Sequence, residues 1–209
     1  MRIVKEHDER KNEIIDTASR IFAQKGYDKS SVNDILNAIG IAKGTFYHYF
    51  KSKEDVLDAV IERATDMIAE QVKEVVDNPQ LAPEEKLLGV FMSMRIENQM
   101  EEGFLEEMHQ PENALMHQKS LVSIITVLTP MLTQVVKEGM EKGVFHTAYP
   151  EQYMQIFLAS ATTLFDDGIF QVEPEKQEKL FQALISLLEK MLGVETGSFC
   201  DKASKYFGE

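Results

Sequence analysis

SVNDILNAIGIAKGTFYHYFKSK, residues 31–53, decides how the rest of the chain is read. Ser31 has the chemistry of a helix N-cap, and Asp34 three residues on completes a capping-box pattern. Val32, Ile35, Leu36 and Ile39 recur at helical spacing. Gly40 stops that helix, because glycine takes the left-handed conformation a helix end often needs. A second short helix is expected from about Ala42, carrying Thr45, Phe46, Tyr47, His48 and Tyr49. Ser52 then caps a third, with Glu54 and Asp55 in its first turn. A helix, a glycine turn and a short helix rich in hydroxyl and basic groups is the pattern of a DNA-binding helix-turn-helix.

Working outward, residues 9–25 read as a bracing helix with Ile14, Ile15, Ala18, Ile21 and Phe22 on one stripe. Gly26 ends it. The helix from Ser52 runs to about Val76, its inner face built from Val56, Val60, Ile61, Ala64, Met67, Ile68 and Val72. Asn78, Pro79 and Pro83 mark a loop. Helix 84–101 is apolar almost all round and so central. A helical region over 114–142 contains Pro130, which is expected to kink or split it. Helices at 150–167 and 174–192 each begin at a proline. The last carries an apolar stripe wider than one neighbour needs, and a symmetric homodimer through these two helices is the simplest way to use it. The fold class is all-α, with a helix-turn-helix head at 1–51, a larger helical dimerisation body at 52–193, and a flexible tail at 194–209.

The run from Gly40 to Glu54, G-x-x-x-G-T-F-Y-x-Y-F-x-S-K-E, resembles the DNA-binding head of the tetracycline-repressor (TetR) family of bacterial transcription regulators. The resemblance covers roughly residues 9–58. It implies that Lys43, Gly44 and Thr45 approach base edges in the major groove. It also implies that Tyr47 and His48 meet backbone phosphates or nearby bases, and that Ser31 and Lys53 bind phosphate. Ala42 departs from the pattern, since many family members carry serine there, so that hydroxyl contact is unavailable. The family further implies a palindromic double-stranded DNA operator, a homodimer, and a small-molecule effector in the body whose binding releases a repressor.

Charge agrees with a divided chain. The net charge is −13, yet residues 1–55 hold 10 Lys/Arg against 9 Asp/Glu, while the rest holds 12 against 26. A near-neutral head can still show a basic face (Lys25, Lys29, Lys43, Lys51 and Lys53) while the acidic body is kept off DNA. Phe91, Met92, Met94, Met100, Phe104, Met108 and Met116 are candidates to line an adaptable apolar effector pocket, although each singly reads as core. Glu97, Glu101, Glu106 and Glu107 read as a solvated acidic face more readily than as a site for a cationic lipophile.

Cys200 is the only cysteine, so no intrachain disulfide forms, which fits a reducing compartment. The N-terminus has no signal-peptide core, and the uncharged run Ser120–Val136, at seventeen residues, falls short of the roughly 18–20 apolar residues that span a bilayer. A cytoplasmic location is expected. His109, His117 and His146 match no compact metal-ligand motif, and no nucleophile–base arrangement, phosphate loop or dinucleotide fingerprint is visible, so neither a metal, a cofactor nor an enzymatic activity is expected. The alternative is a ligand-binding or protein-interaction dimer whose head does not engage DNA.

Overall fold

A computed structural model describes residues 7–95 and 108–199, the side chains of 92–95 and of Pro174 excepted. It is all-helical, with no strand among the described residues. The helices are α1 (His7–Lys25), α2 (Val32–Ile39), α3 (Lys43–Tyr49), α4 (Lys53–Val76), α5 (Pro83–Arg95), α6 (Ala114–Glu141), α7 (Pro150–Leu164) and α8 (Pro174–Leu192). A 3-10 turn, Pro111–Asn113, leads into α6.

The chain divides into two compact units, and the division falls within α4 and α6. The first comprises Met1–Asp66 and Met100–Ser123. Its core takes Ile14, Ala18 and Phe22 from α1, Ile35 from α2, Phe46 from α3, and Val56 and Leu57 from α4, all fully buried. Met116 of α6 joins them at 2 % exposure. Three short helices bury little alone, and α4 and the start of α6 complete their core.

Local chemistry sets the helix ends here. Ser31 Oγ accepts the Asp34 N–H at 3.2 Å, and Asp34 Oδ2 accepts the Ser31 N–H at 2.7 Å, so both halves of the capping box form. Gly40 closes α2 at φ +75°. Ser52 Oγ accepts the Asp55 N–H at 3.0 Å and caps α4.

The second unit comprises Met67–Gln99 and Ile124–Glu209. Its core is built on Leu128, Leu132, Val135 and Val136 of α6, met by Leu87 and Val90 of α5, Met154 and Leu158 of α7, and Ile185 and Leu188 of α8. The stretch Pro111–Glu141 is long and apolar enough by composition to cross a membrane, but these four α6 side chains are buried in protein.

Helix α6 is not split at Pro130. Proline removes one helical hydrogen bond, and burial of the side chains around it holds the helix together. The hydroxyls of Thr129 and Thr133 donate back to the carbonyls of Ile125 and Thr129 at 2.6 and 2.7 Å. Gly139, near the end of α6, is a packing position. A methyl group there would fall 2.1 Å from the Phe145 ring.

Residues 194–199, expected within a loose tail, are tied down. Buried Glu189 accepts the N–H groups of Gly197 and Phe199 at 2.9 and 3.0 Å, and Phe199 is fully buried. The remainder of that expected tail lies outside the described residues.

Candidate nucleic-acid interface

Helix α3 is seven residues long and one side of it is anchored. Phe46 is fully buried and Phe50 just beyond the helix is 3 % exposed, as the sequence pattern expects of residues that fix the helix angle. Lys43, Gly44, Tyr47 and His48 then fall at i, i+1, i+4 and i+5, a single face pointing to solvent. A Cβ added at Gly44 would meet nothing within 4 Å, so a backbone or base edge can approach closely there. Tyr47 is 46 % exposed, with the Lys43 ammonium 5.8 Å from its ring centroid. Thr45 sits half-buried at the margin of that face. The His48 ring packs edge-on against Tyr49 at 5.0 Å.

The candidate lysines divide into two groups. Lys43 and Lys51 are exposed. Three others are engaged within the protein. Lys25 pairs with Asp34 at 2.9 Å, and Lys29 pairs with Glu112 Oε1 at 2.5 Å. Lys53 donates to the carbonyls of Tyr27 and Ser30 at 2.8 and 3.0 Å, with its ammonium 4.0 Å over the Tyr27 ring. Lys53 thereby closes the turn between α1 and α2, drawing Lys29, Ser31 and Lys53 into one neighbourhood.

Two carboxylates here are held ionised. The Asp34 carboxyl is lowered to about 2, first by the hydrogen bond from the Ser31 hydroxyl and then by Lys25. Glu112 is also lowered, mainly by the hydrogen bond from Lys29.

Sequence reading missed the other side of that turn. Asn113, 1 % exposed, accepts the Tyr27 N–H on Oδ1 at 2.7 Å, and the Glu112 carbonyl accepts the Asp28 N–H at 2.9 Å. Gly26, at φ +84°, makes this approach possible, since a Cβ there would lie 2.6 Å from the Glu112 Cβ. On α6, Lys119 bridges Glu54 and Asp58 of α4 at 2.8 and 2.6 Å, and the hydrogen bonds to Asp58 and then Glu54 hold its ammonium charged well above the ordinary lysine range. These partners stand 61 to 86 residues apart in sequence, where no local spacing pattern reaches.

Three of the pocket candidates, Phe91, Met108 and Met116, have described side chains. Phe91 lies in the second unit, stacked on Phe181 at 5.3 Å and tilted against Phe157 at 5.2 Å. Met116 and Met108 pack into the core of the first unit. Met100 and Phe104 lie outside the described residues, as do the side chains of Met92 and Met94. Around Phe91 a closed apolar pocket is lined by Leu87, Val90, Leu132, Met154, Phe157, Leu158 and Leu188. Its free volume of about 10 Å³ holds no more than a water molecule. A larger concavity, near 650 Å³, is an open groove on α1 and α2 lined by Glu9, Glu13 and Asp16 among others. Those carboxylates would repel phosphate. Of the three histidines singled out in the sequence, His109 and His117 come together at 5.1 Å between ring centroids, and His146 belongs to the second unit.

A buried aromatic anchor beneath an exposed short helix, preceded by a capped helix and a glycine turn, defines a helix-turn-helix protein. The chain belongs to the tetR family of bacterial regulatory proteins. The model of that family's N-terminal region matches residues 14–60, and the model for a tetracyclin repressor-like C-terminal domain matches residues 96–186.

Among curated proteins, the HTH-type transcriptional repressor KstR2 of Mycolicibacterium smegmatis is 34 % identical over 84 residues, 40 % of each chain. The fatty acid metabolism regulator protein of Bacillus subtilis is 36 % identical over 76 residues, 36 % of this chain and 39 % of that one. The chain therefore matches about two-fifths of the length of these relatives. Among solved structures, RolR in complex with resorcinol aligns over 95 % of this chain and 94 % of its own, with a TM-score of 0.65 at 20 % identity. A regulator from Pectobacterium atrosepticum aligns over 91 % and 98 %, with a TM-score of 0.63 at 20 % identity. These two share the fold.

Proposed function

We propose that this chain is a cytoplasmic, dimeric transcriptional regulator, a repressor that binds a palindromic DNA operator and leaves it when a small molecule binds the second unit. The observation that carries this reading is the α3 face: Lys43, Gly44, Tyr47 and His48 exposed together over a buried Phe46. Side chains on such a helix reach base edges in the major groove, while Ser31 and the lysines beside it hold phosphates. Thr45, at the margin of the face, is assigned to base selection with Lys43 and Gly44.

One head covers only a few base pairs, and two heads about 34–36 Å apart read an inverted repeat. Exposed apolar side chains on the packed pair α7 and α8, Ile156 and Leu187 at 49 and 41 %, support a symmetric contact through that face. The effector is assigned to the apolar pocket around Phe91. Its present size means that a ligand must part α5, α6, α7 and α8 to enter. Helix α4 contributes residues to both units and is the proposed carrier of that change. Release requires that the ligand bind the off-DNA conformation more tightly, since only a difference in affinity shifts the equilibrium.

The test is fluorescence anisotropy on duplex DNA from upstream of the protein's own gene and on random duplex, at two salt concentrations. Tight, salt-sensitive binding that prefers the upstream DNA supports the regulator. Absence of binding to either duplex favours a ligand-binding or protein-interaction dimer whose head does not engage DNA, a reading in keeping with the strongly acidic body.

A further inference from the structure

Residues 110–113 sit against the turn between α1 and α2, and their side chains divide the work. Two contacts there involve the backbone of the turn: Asp28 N–H to the Glu112 carbonyl, and Tyr27 N–H to Asn113. These dock the segment and do not depend on the Glu112 carboxylate. The third contact is that carboxylate itself, 2.5 Å from the Lys29 ammonium. Lys29 stands two residues before the α2 N-cap, in the same turn that Lys53 closes through the Tyr27 and Ser30 carbonyls. Both partners of the Lys29–Glu112 pair reach water, with side chains 63 and 32 % exposed, so an external anion can compete for the ammonium.

We propose that Glu112 is an internal substitute for a DNA phosphate: in the free protein it occupies Lys29, and DNA binds by displacing it. This rests on the reading of the α1–α2 turn as a phosphate-binding surface. A carboxylate and a phosphate oxygen offer an ammonium the same kind of charge-assisted hydrogen bond, so the exchange needs no rearrangement of the fold. The docking contacts keep Glu112 poised beside the turn throughout. Any event that draws residues 110–113 away from the turn would release Lys29 and raise DNA affinity, while tightening that contact would lower it. The segment opens directly into α6, so the device lies where a helix of the first unit continues into the second.

The experiment measures the affinity of the full chain for a random 30-base-pair duplex against salt concentration, for wild type, Glu112→Gln, Lys29→Gln, the double variant, and Glu62→Gln as an exposed acidic control in the same unit. Glutamine keeps the size of each side chain, and thermal melts confirm that each variant folds. Glu112→Gln is expected to tighten binding by about two- to fivefold, the scale of an exposed ion pair. That gain should disappear in the Lys29→Gln background and be absent in Glu62→Gln. Lys29→Gln should weaken binding and flatten the logarithmic salt dependence by about 0.9.

A gain in Glu112→Gln that survives removal of Lys29, or that Glu62→Gln reproduces, would overturn the competition and leave the DNA-binding reading intact. No change in affinity or salt slope for Lys29→Gln would show instead that this turn does not meet phosphate, and both the competition and that placement would fall. Wild type that fails to bind DNA at any salt concentration would overturn the regulator reading together with this one.

Discussion

Asn113→Ala tests how the first unit is held together. The Asn113 side chain is 1 % exposed and its Oδ1 is the acceptor for the N–H of Tyr27, itself 6 % exposed. Alanine leaves that N–H buried with no acceptor in place of Oδ1. The desolvation of an unpaired backbone donor costs about 1–3 kcal/mol, which is roughly a 5- to 150-fold loss in the folding equilibrium. Lys29→Gln and Glu112→Gln touch the same turn through an exposed ion pair, and each should leave stability close to that of wild type.

Amide hydrogen exchange is the suitable assay, because it reads the first unit separately from the second. In Asn113→Ala the Tyr27 amide and the α1–α2 turn should exchange faster by that same factor, while amides near Leu132 and Ile185 keep their protection. A Tyr27 amide that exchanges at the wild-type rate would refute the assignment of Asn113 as a buried structural acceptor.

Other outcomes follow from single contacts. Ser31→Ala removes the α2 cap and should destabilise the first unit by about 1 kcal/mol in chemical denaturation, with an unchanged denaturant slope. The Asp34 carboxyl, at about 2 in the folded protein against 3.8 ordinarily, favours the ionised folded state. Its contribution is fully present above about pH 4 and is lost as the pH falls toward 2, so Asp34→Asn should show a smaller drop in melting temperature over that interval than wild type. Gly139→Ala drives a methyl group into Phe145 and should cost about 1–3 kcal/mol in the second unit, read by its melting transition. Tyr47→Ala, exposed and outside the core, should fold as wild type yet weaken DNA binding across all sequences, whereas Thr45→Ala should change the preference among sequences in a competition assay.

The helix-turn-helix was legible because its cues are local. Ser31 and Asp34 are three residues apart, Gly40 must turn left-handed, and Val32, Ile35, Leu36 and Ile39 repeat at helical spacing. Each acts within one or two turns of chain, so spacing alone reports it. The seat made by Glu112 and Asn113 was not legible, since its partners stand 83 and 86 residues away and nothing in either stretch specifies the other.

The methionine set shows the same limit from another side. Apolar spacing tells that a helix face is buried but not against what. Met116 packs in the first unit and Phe91 in the second, although both read as candidates for one pocket. Likewise the chain end at 194–199 has no strong period, and it is held by buried Glu189 reaching two backbone N–H groups and by the single large side chain of Phe199.

On the proposed function, two copies of the α3 face read a two-fold symmetric DNA sequence. Selection of bound duplexes from a random library by the purified full chain, followed by sequencing, tests it without presupposing any operator sequence. A dimeric reader predicts enrichment of an inverted repeat whose half-site centres lie one helical turn or a whole multiple apart. It also predicts that Thr45→Ala alters the enriched bases while keeping the spacing. A library that emerges without any enriched motif, from a protein that is folded throughout, would contradict it.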